Sequence, residues 1–183
     1  MRKGIVSTGS IEATNAAEEI LKIGGNAIDA AIAAVFTSMT SEFSLTSVAG
    51  GGAMMVKVPQ KKPILYDFFV DTPQLKSIKD IEFCKTTIDF GDSKQYFHIG
   101  KGSVAVPGNL AGLVKVQNDF GRLPLSVVLE PGIEIAKSGC ILNKEQSYIF
   151  KLLEPIFTHS SESKQLLCRN GKILKEGDRF INS

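Results

Sequence analysis

A chain of 183 residues, 43% hydrophobic and 22% charged, has the size of one domain or slightly more and enough apolar residues for a sizeable core. Its 21 basic and 19 acidic residues nearly cancel, leaving a formal charge of +2, and no long run of like charges occurs. Composition therefore gives no reason to expect a nucleic-acid or membrane-surface partner.

The opening MRKGIVSTGS is basic but has no apolar core long enough for a secretory signal. The longest apolar stretch, AIDAAIAAVF, is broken by Asp29 and is too short to span a bilayer. A soluble, cytoplasmic protein is the expectation. Cys84, Cys140 and Cys168 are odd in number, far apart and at no metal-ligand spacing, so reduced thiols are expected rather than a disulfide framework.

In chain order, GIVST reads as a short first strand. IEATNAAEEILKIGG then places Ala13, Ala16, Ala17, Ile20 and Leu21 on one helical stripe. Gly24 and Gly25 supply a left-handed stop, and Asn26 is placed to cap the next helix. That helix, NAIDAAIAAVFTSMTS, is apolar nearly all round and must be buried on several sides, with a sheet face as the expected neighbour. Asp29 is its one charge. It lies in the first turn, where the helix dipole favours an anion by roughly 0.3–1 kcal/mol, so a structural role outweighs a catalytic one.

GGAMMVKV, the turn PQKKP and ILYDFF read as a hairpin. Residues 74–100 are polar and irregular and are read as a helix with a long surface excursion. GSVAVPG reads as a small-residue strand ending at Pro107, and NLAGLVKVQNDFG as a helix closed by Gly121. LPLSVVLEPGIEIAKSG reads as two helical pieces, with Pro131 opening the second and Gly139 ending it. In LLCRNGKIL, Asn170-Gly171 between apolar residues is a strong hairpin signal. The whole is expected to be one domain, 1–183.

Few groups offer chemistry. The three glycines of SVAGGGAMMV lead into a strand and lack a following lysine–hydroxyl pair, so close backbone packing is favoured over phosphate binding. His98 and His159 cannot make a three-ligand metal site alone and sit at no helical metal spacing. FTHSS, with Thr158, His159, Ser160 and Ser161, is read as a polar loop, because catalytic pairs are assembled by the fold and not by adjacency. In YDFFVDTP, Asp67 and Asp71 fall on one face of a strand. They could act as acid and base, or cap amides where the strand bends before Pro73, and local physics favours the second.

GGNAIDAAIAA, SVAGGGAMMV, the DFF…TP strand, GSVAVPGNLAGL, FGRLPL and PGIEIAKSG occur in an order that resembles the N-terminal part of the γ-glutamyltranspeptidases. The resemblance implies an N-terminal-nucleophile hydrolase fold, an αββα sandwich, of which this chain carries a portion of the large subunit. It implies a precursor that cuts itself, and a small subunit whose new N-terminal threonine attacks γ-glutamyl amides such as glutathione without metal or organic cofactor. A free α-amine can deprotonate the adjacent hydroxyl, and backbone amides can stabilise the oxyanion. FTHSS loosely resembles the family's threonine-threonine-histidine start but lies too early, so no catalytic residue is assigned to this chain, and alone it is expected to be inactive.

The resemblance also assigns substrate-binding positions. Family members present an arginine, then a glutamate, after the aspartate-phenylalanine pair, and the arginine grips the substrate's α-carboxylate. Here those positions are Phe69 and Val70, with Asp67 preceding them. A phenyl ring cannot form a bidentate charge-assisted pair, and its loss costs roughly 1.5–3 kcal/mol. The expected partners are a downstream segment bearing the threonine and a small γ-glutamyl or other amide substrate. The alternatives are a different acyl substrate on the same fold, or a non-catalytic scaffold or binding fragment. A half sandwich would leave an apolar face exposed, so association with a second chain is expected.

Overall fold

The computed structural model describes residues 4–74 and 80–181. They group into two compact units, one formed by 4–71 with 106–138 and the other by 72–74, 80–105 and 139–181.

The first unit is built on helices. α1 (Ile11–Lys22) begins at Ser10, whose side chain accepts from the Ala13 N–H, and buries Ala13, Ala16, Ala17 and Ile20 along the expected stripe. The chain leaves it through Gly24 at φ +101°, a conformation that favours glycine. α2 (Ala27–Ser41) starts in a capping box: Asn26 accepts from the first-turn amides and Asp29 accepts from the Asn26 N–H. Its small residues permit close approach by other helices. The expected sheet face is corrected here, because the main neighbours of α2 are α1 and α4, and strand β1 adds Val56 to the same apolar cluster.

β1 (Gly52–Val56) and β2 (Ile64–Phe68) form the expected antiparallel hairpin, in the register Gly52 opposite Phe68 and Met54 opposite Tyr66. α3 (Asn109–Phe120) runs to Gly121 as expected. α4 (Leu125–Ser138) is one continuous helix and not two pieces. Pro131 removes one N–H from its ladder, but packing overrides that break: a Cβ at Gly132 would lie 3.2 Å from the Phe36 carbonyl, so α4 is pressed against α2 just beyond the proline. GIVST forms no strand, for the reason that no described segment pairs with it, and Ile5 is fully exposed. GSVAVPG is a short 3-10 turn at Lys101–Ser103 followed by a single bridge at Val106, its small residues giving no extended ladder.

The second unit joins short ladders to short helices. β3 (Cys84–Asp89) and β4 (Lys94–Ile99) pair antiparallel where a helix was expected. Residues 75–79 of that expected helix lie outside the described residues. The hairpin follows from Thr86, Thr87 and Ile88, which are β-branched, and from Gly91 at φ +91° in the turn. Then come β5 (Cys140–Ile141), α5 (Lys144–Leu152), α6 (Glu154–Phe157), α7 (Ser161–Leu167), β6 (Cys168–Arg169), β7 (Lys172–Ile173) and β8 (Arg179–Phe180). β6 and β7 flank Asn170 and Gly171, both at positive φ as an Asn-Gly hairpin requires. β5 pairs with β8. No described helix is long and apolar enough to cross a membrane.

Candidate functional site

The segment after β2 carries the residues singled out in the sequence. Strand alternation sends Tyr66, Phe68 and Val70 to one side and Asp67, Phe69 and Asp71 to the other. The first three are half-buried and the second three exposed, with Phe69 at 71% of its full accessibility. Phe69 and Asp67 therefore share an open face, and Val70 points away from it.

Glycines set the path of this backbone. A Cβ at Gly51 would come within 2.4 Å of the Val70 N, and one at Gly108 within 2.1 Å of the Phe68 O. The Phe68 ring covers Gly112 on α3, where a Cβ would overlap the ring. The glycine run of SVAGGGAMMV is thus a close-packing device, as favoured from sequence. The Gly50 carbonyl accepts from the amides of Gly108 and Asn109, and Asn109 Nδ2 donates to the Ser47 carbonyl at 2.8 Å. These bonds satisfy orphan amides at the start of α3.

The two aspartates do different things. Asp67 Oδ1 accepts from the Phe69 N–H at 3.1 Å, the amide-capping role. Asp71 joins Val106 through a pair of backbone bonds of 3.1 and 2.8 Å. Phe69 is thus held between a capped turn on one side and a two-bond bridge on the other. The face can present an aromatic ring to an apolar acyl group, with the Asp67 carboxylate beside the turn.

Asp29 sits in a second polar constellation and is fully buried. Its carboxylate accepts from the amides of Asn26, Arg122 and Leu123 and from Gln117 Nε2, at 2.7–3.2 Å. Burial alone pushes this carboxyl up; the hydrogen bonds together outweigh it and hold the group below its ordinary value. Asn26 Nδ2 donates to the Phe120 carbonyl, and Arg122 Nη1 to the Gly24 carbonyl. GGNAIDAA and FGRLPL, two of the stretches that carried the resemblance, are therefore bolted together. The structural role expected for Asp29 holds. Its partners at 117–123 were missed, since nothing in sequence links positions about ninety residues apart.

FTHSS is a set of caps and ties. Thr158 Oγ1 donates to the Glu154 carbonyl, Ser160 caps α7 by accepting from the Ser163 N–H, and His159 Nε2–H donates to Glu82 Oε1 at 2.8 Å. Ser161 Oγ donates to the neighbouring Glu162 carboxylate at 3.1 Å, and the His159 ring is taken up by Glu82. His98 stacks on Phe83, ring centroids 4.6 Å apart.

The sequence profile described as gamma-glutamyltranspeptidase matches residues 13–183. The chain belongs to this family. The glutathione hydrolase proenzyme 2 of Schizosaccharomyces pombe is 29% identical to it over 184 residues, which are 98% of this chain and 28% of that protein. The acylase ACY 1 proenzyme of Pseudomonas sp. (strain SE83) is also 29% identical, across 99% of this chain and 33% of its own length. In three dimensions the Helicobacter pylori gamma-glutamyltranspeptidase superposes with a TM-score of 0.82 at 25% identity, covering 99% of this chain and 51% of that one. The fold is accordingly the mixed α/β fold of the N-terminal-nucleophile hydrolases, and this chain is a large-subunit portion of it. It spans about a third of the curated relatives it matches and about half of the matched solved chain.

Proposed function

We propose that this chain is the N-terminal part of the large subunit of a γ-glutamyltranspeptidase-like amidohydrolase or acyltransferase. Its catalytic threonine comes from a downstream segment that docks on it, and glutathione or related γ-glutamyl amides are its substrates. In that reaction the threonine Oγ attacks the amide carbonyl as its proton passes to the threonine's own α-amine. The proton then goes to the departing amine, and water or an amino acid takes the acyl group. The present chain supplies the wall against which the acyl group lies. Support comes from the match across residues 13–183. The exposed apolar side chains of the first unit, among them Ile5, Leu45, Val48 and Leu110, suit a partner segment.

A second reading keeps the fold and changes the acyl group. The observation behind it is Phe69, exposed at the position where the family presents an arginine, together with the likeness to an acylase. Both readings are decided on the complete gene product with two anilides, one γ-glutamyl and one of a plain aliphatic acid. The first predicts amine release from the γ-glutamyl anilide, the second from the aliphatic one. Under either, Phe69→Arg raises γ-glutamyl turnover relative to aliphatic turnover by about tenfold to a hundredfold, the worth of one charge-assisted bidentate pair. Unchanged selectivity would remove Phe69 from the acyl pocket, and no amine release from either substrate by the processed protein would refute the amidase reading.

A further inference from the structure

Glu82, Cys84 and His159 converge in the second unit, with one ligand atom of each lying within 4.8 Å of the others. Two devices bring them together. Glu82 lies two residues before Cys84, the first residue of β3, and that spacing leading into the strand turns both side chains to one side. α6 packs against β3 and delivers His159 from the turn that follows it. Spacing in sequence could not reveal the set, because 77 residues separate Glu82 from His159.

The three side chains are carried on backbone that is already fixed. The Glu82 carbonyl accepts from the Gly102 N–H at 2.8 Å, and Gly100 packs so closely on Glu82 that a Cβ there would clash. Between Glu82 and Cys84, Phe83 stacks on His98 of β4. His159 lies between two pinned helix ends: its own N–H donates to the Ile156 carbonyl, Thr158 is bound to Glu154, and Ser160 caps α7. Rigid support of this kind is what a metal site needs in order to hold its ligands in place.

We propose that Glu82, Cys84 and His159 are the protein ligands of a divalent zinc-type cation, with a fourth position open to water or a ligand. A thiolate, an imidazole and a carboxylate suit zinc and exclude magnesium or calcium, which take oxygen donors. Zinc bonds of about 2.0–2.3 Å in a tetrahedron put ligand atoms about 3.3–3.8 Å apart. The widest pair here closes by about an ångström, and the His159–Glu82 pair, at 2.8 Å, opens by about half of one as the cation replaces the shared proton. Cys84 is an exposed, unbridged cysteine and releases its proton to water on binding. Two anionic ligands then balance the dication. The hydrogen bond from His159, with Lys101 nearby, already holds the Glu82 carboxyl below its ordinary value. Lys101 opposes a cation, so it weakens the site without contributing a ligand.

The test uses the complete, tag-free, reduced gene product, first with zinc against a chromophoric chelator and then with cobalt(II). The wild type binds one zinc ion that Cys84→Ser, His159→Gln and Glu82→Gln each weaken at least about tenfold. Cobalt gives a thiolate-to-metal charge-transfer band that Cys84→Ser abolishes, and Cys168→Ser changes neither readout. Circular dichroism of the variants shows whether each retains its fold; should Glu82→Gln or His159→Gln unfold, the exposed, near-isosteric Cys84→Ser and its cobalt band decide the question alone. Zinc affinity or a thiolate band that survives Cys84→Ser, or a wild type that takes up no ion which these variants lose, would overturn the proposal.

Discussion

In the first unit, α1, α2 and α4 share one apolar cluster that runs from Ala13 and Ile20 through Ile32 and Ala33 to Val128, joined by Val56 of β1 and Val116 of α3. The second unit has ladders of two to six residue pairs and scattered buried side chains such as Ile88, Phe150 and Phe180. Its order comes from local devices: the Asn143–Gln146 capping box, the Ser160 cap, and glycines 91, 139, 171 and 177 at positive φ. The first unit depends mostly on side chains that meet across long sequence separations. The second leans more on residues that fix the chain within a few positions of themselves, with the β5–β8 pairing and the Glu82–His159 bond as longer ties. Stability is unevenly spread in such a molecule, and a substitution's cost should depend on which kind of device it removes.

The largest effect is expected at Asp29. Asp29→Ala leaves the amides of Asn26, Arg122 and Leu123 without this acceptor and takes one of two acceptors from Gln117 Nε2, which keeps its bond to the Leu123 carbonyl. A buried unsatisfied donor costs about 1–3 kcal/mol, and with partial relaxation the total loss is roughly 3–4 kcal/mol. Denaturant unfolding measures it, and hydrogen exchange should show the loss in α1, α2 and α4. The pH dependence has a definite sign. The folded carboxyl lies below its ordinary value, so its contribution is complete above the usual carboxylate range and fades as pH falls through that range toward the folded value. Wild type should therefore lose stability on acidification more steeply than Asp29→Ala. Parallel curves would show that the clamp does not depend on charge.

A smaller effect is expected from a local device. Gly171→Ala places a side chain at φ +74°, where the surroundings are open and the only penalty is conformational. That costs about 1–2 kcal/mol, read as faster exchange in the β6–β7 turn with little change in the exchange of α1 and α2. A global loss as large as that of Asp29→Ala would erase the distinction between the two units.

The same division explains what could be read from sequence. α1, α2, α3 and the β1–β2 hairpin announce themselves through helical stripes, caps and a turn, and the 170–171 hairpin through its Asn-Gly pair. The β3–β4 hairpin escaped because its more buried face mixes the polar Thr86 and Gln95 with Ile88, Phe97 and Ile99, while the aromatic Tyr96 lies on the exposed face, so period two is blurred. Pro131 misled for the opposite reason: a strong local signal lost to packing at Gly132. At the candidate site, Asp67 as an amide cap follows from its distance to the bend. The exposure of Phe69 and the approach of Gly108 and Gly112 to Phe68 do not, since they depend on α3 meeting β2.

Phe69 should then show the smallest effect on stability of all. Its ring is largely in water, so Phe69→Ala removes little buried area and should change unfolding free energy by no more than about 0.5 kcal/mol. The Phe69 N–H bond to Asp67 is made by backbone and survives the change. What the substitution removes is apolar surface on the open face, worth up to about 1.5–3 kcal/mol if an acyl chain covers the ring. In the complete gene product the Michaelis constant for an aliphatic anilide should rise by about tenfold or more while the unfolding curve stays in place. A large shift in unfolding would make Phe69 a structural residue of the first unit. An unchanged Michaelis constant would mean that the ring faces no substrate and that the family's arginine was lost without being replaced in function.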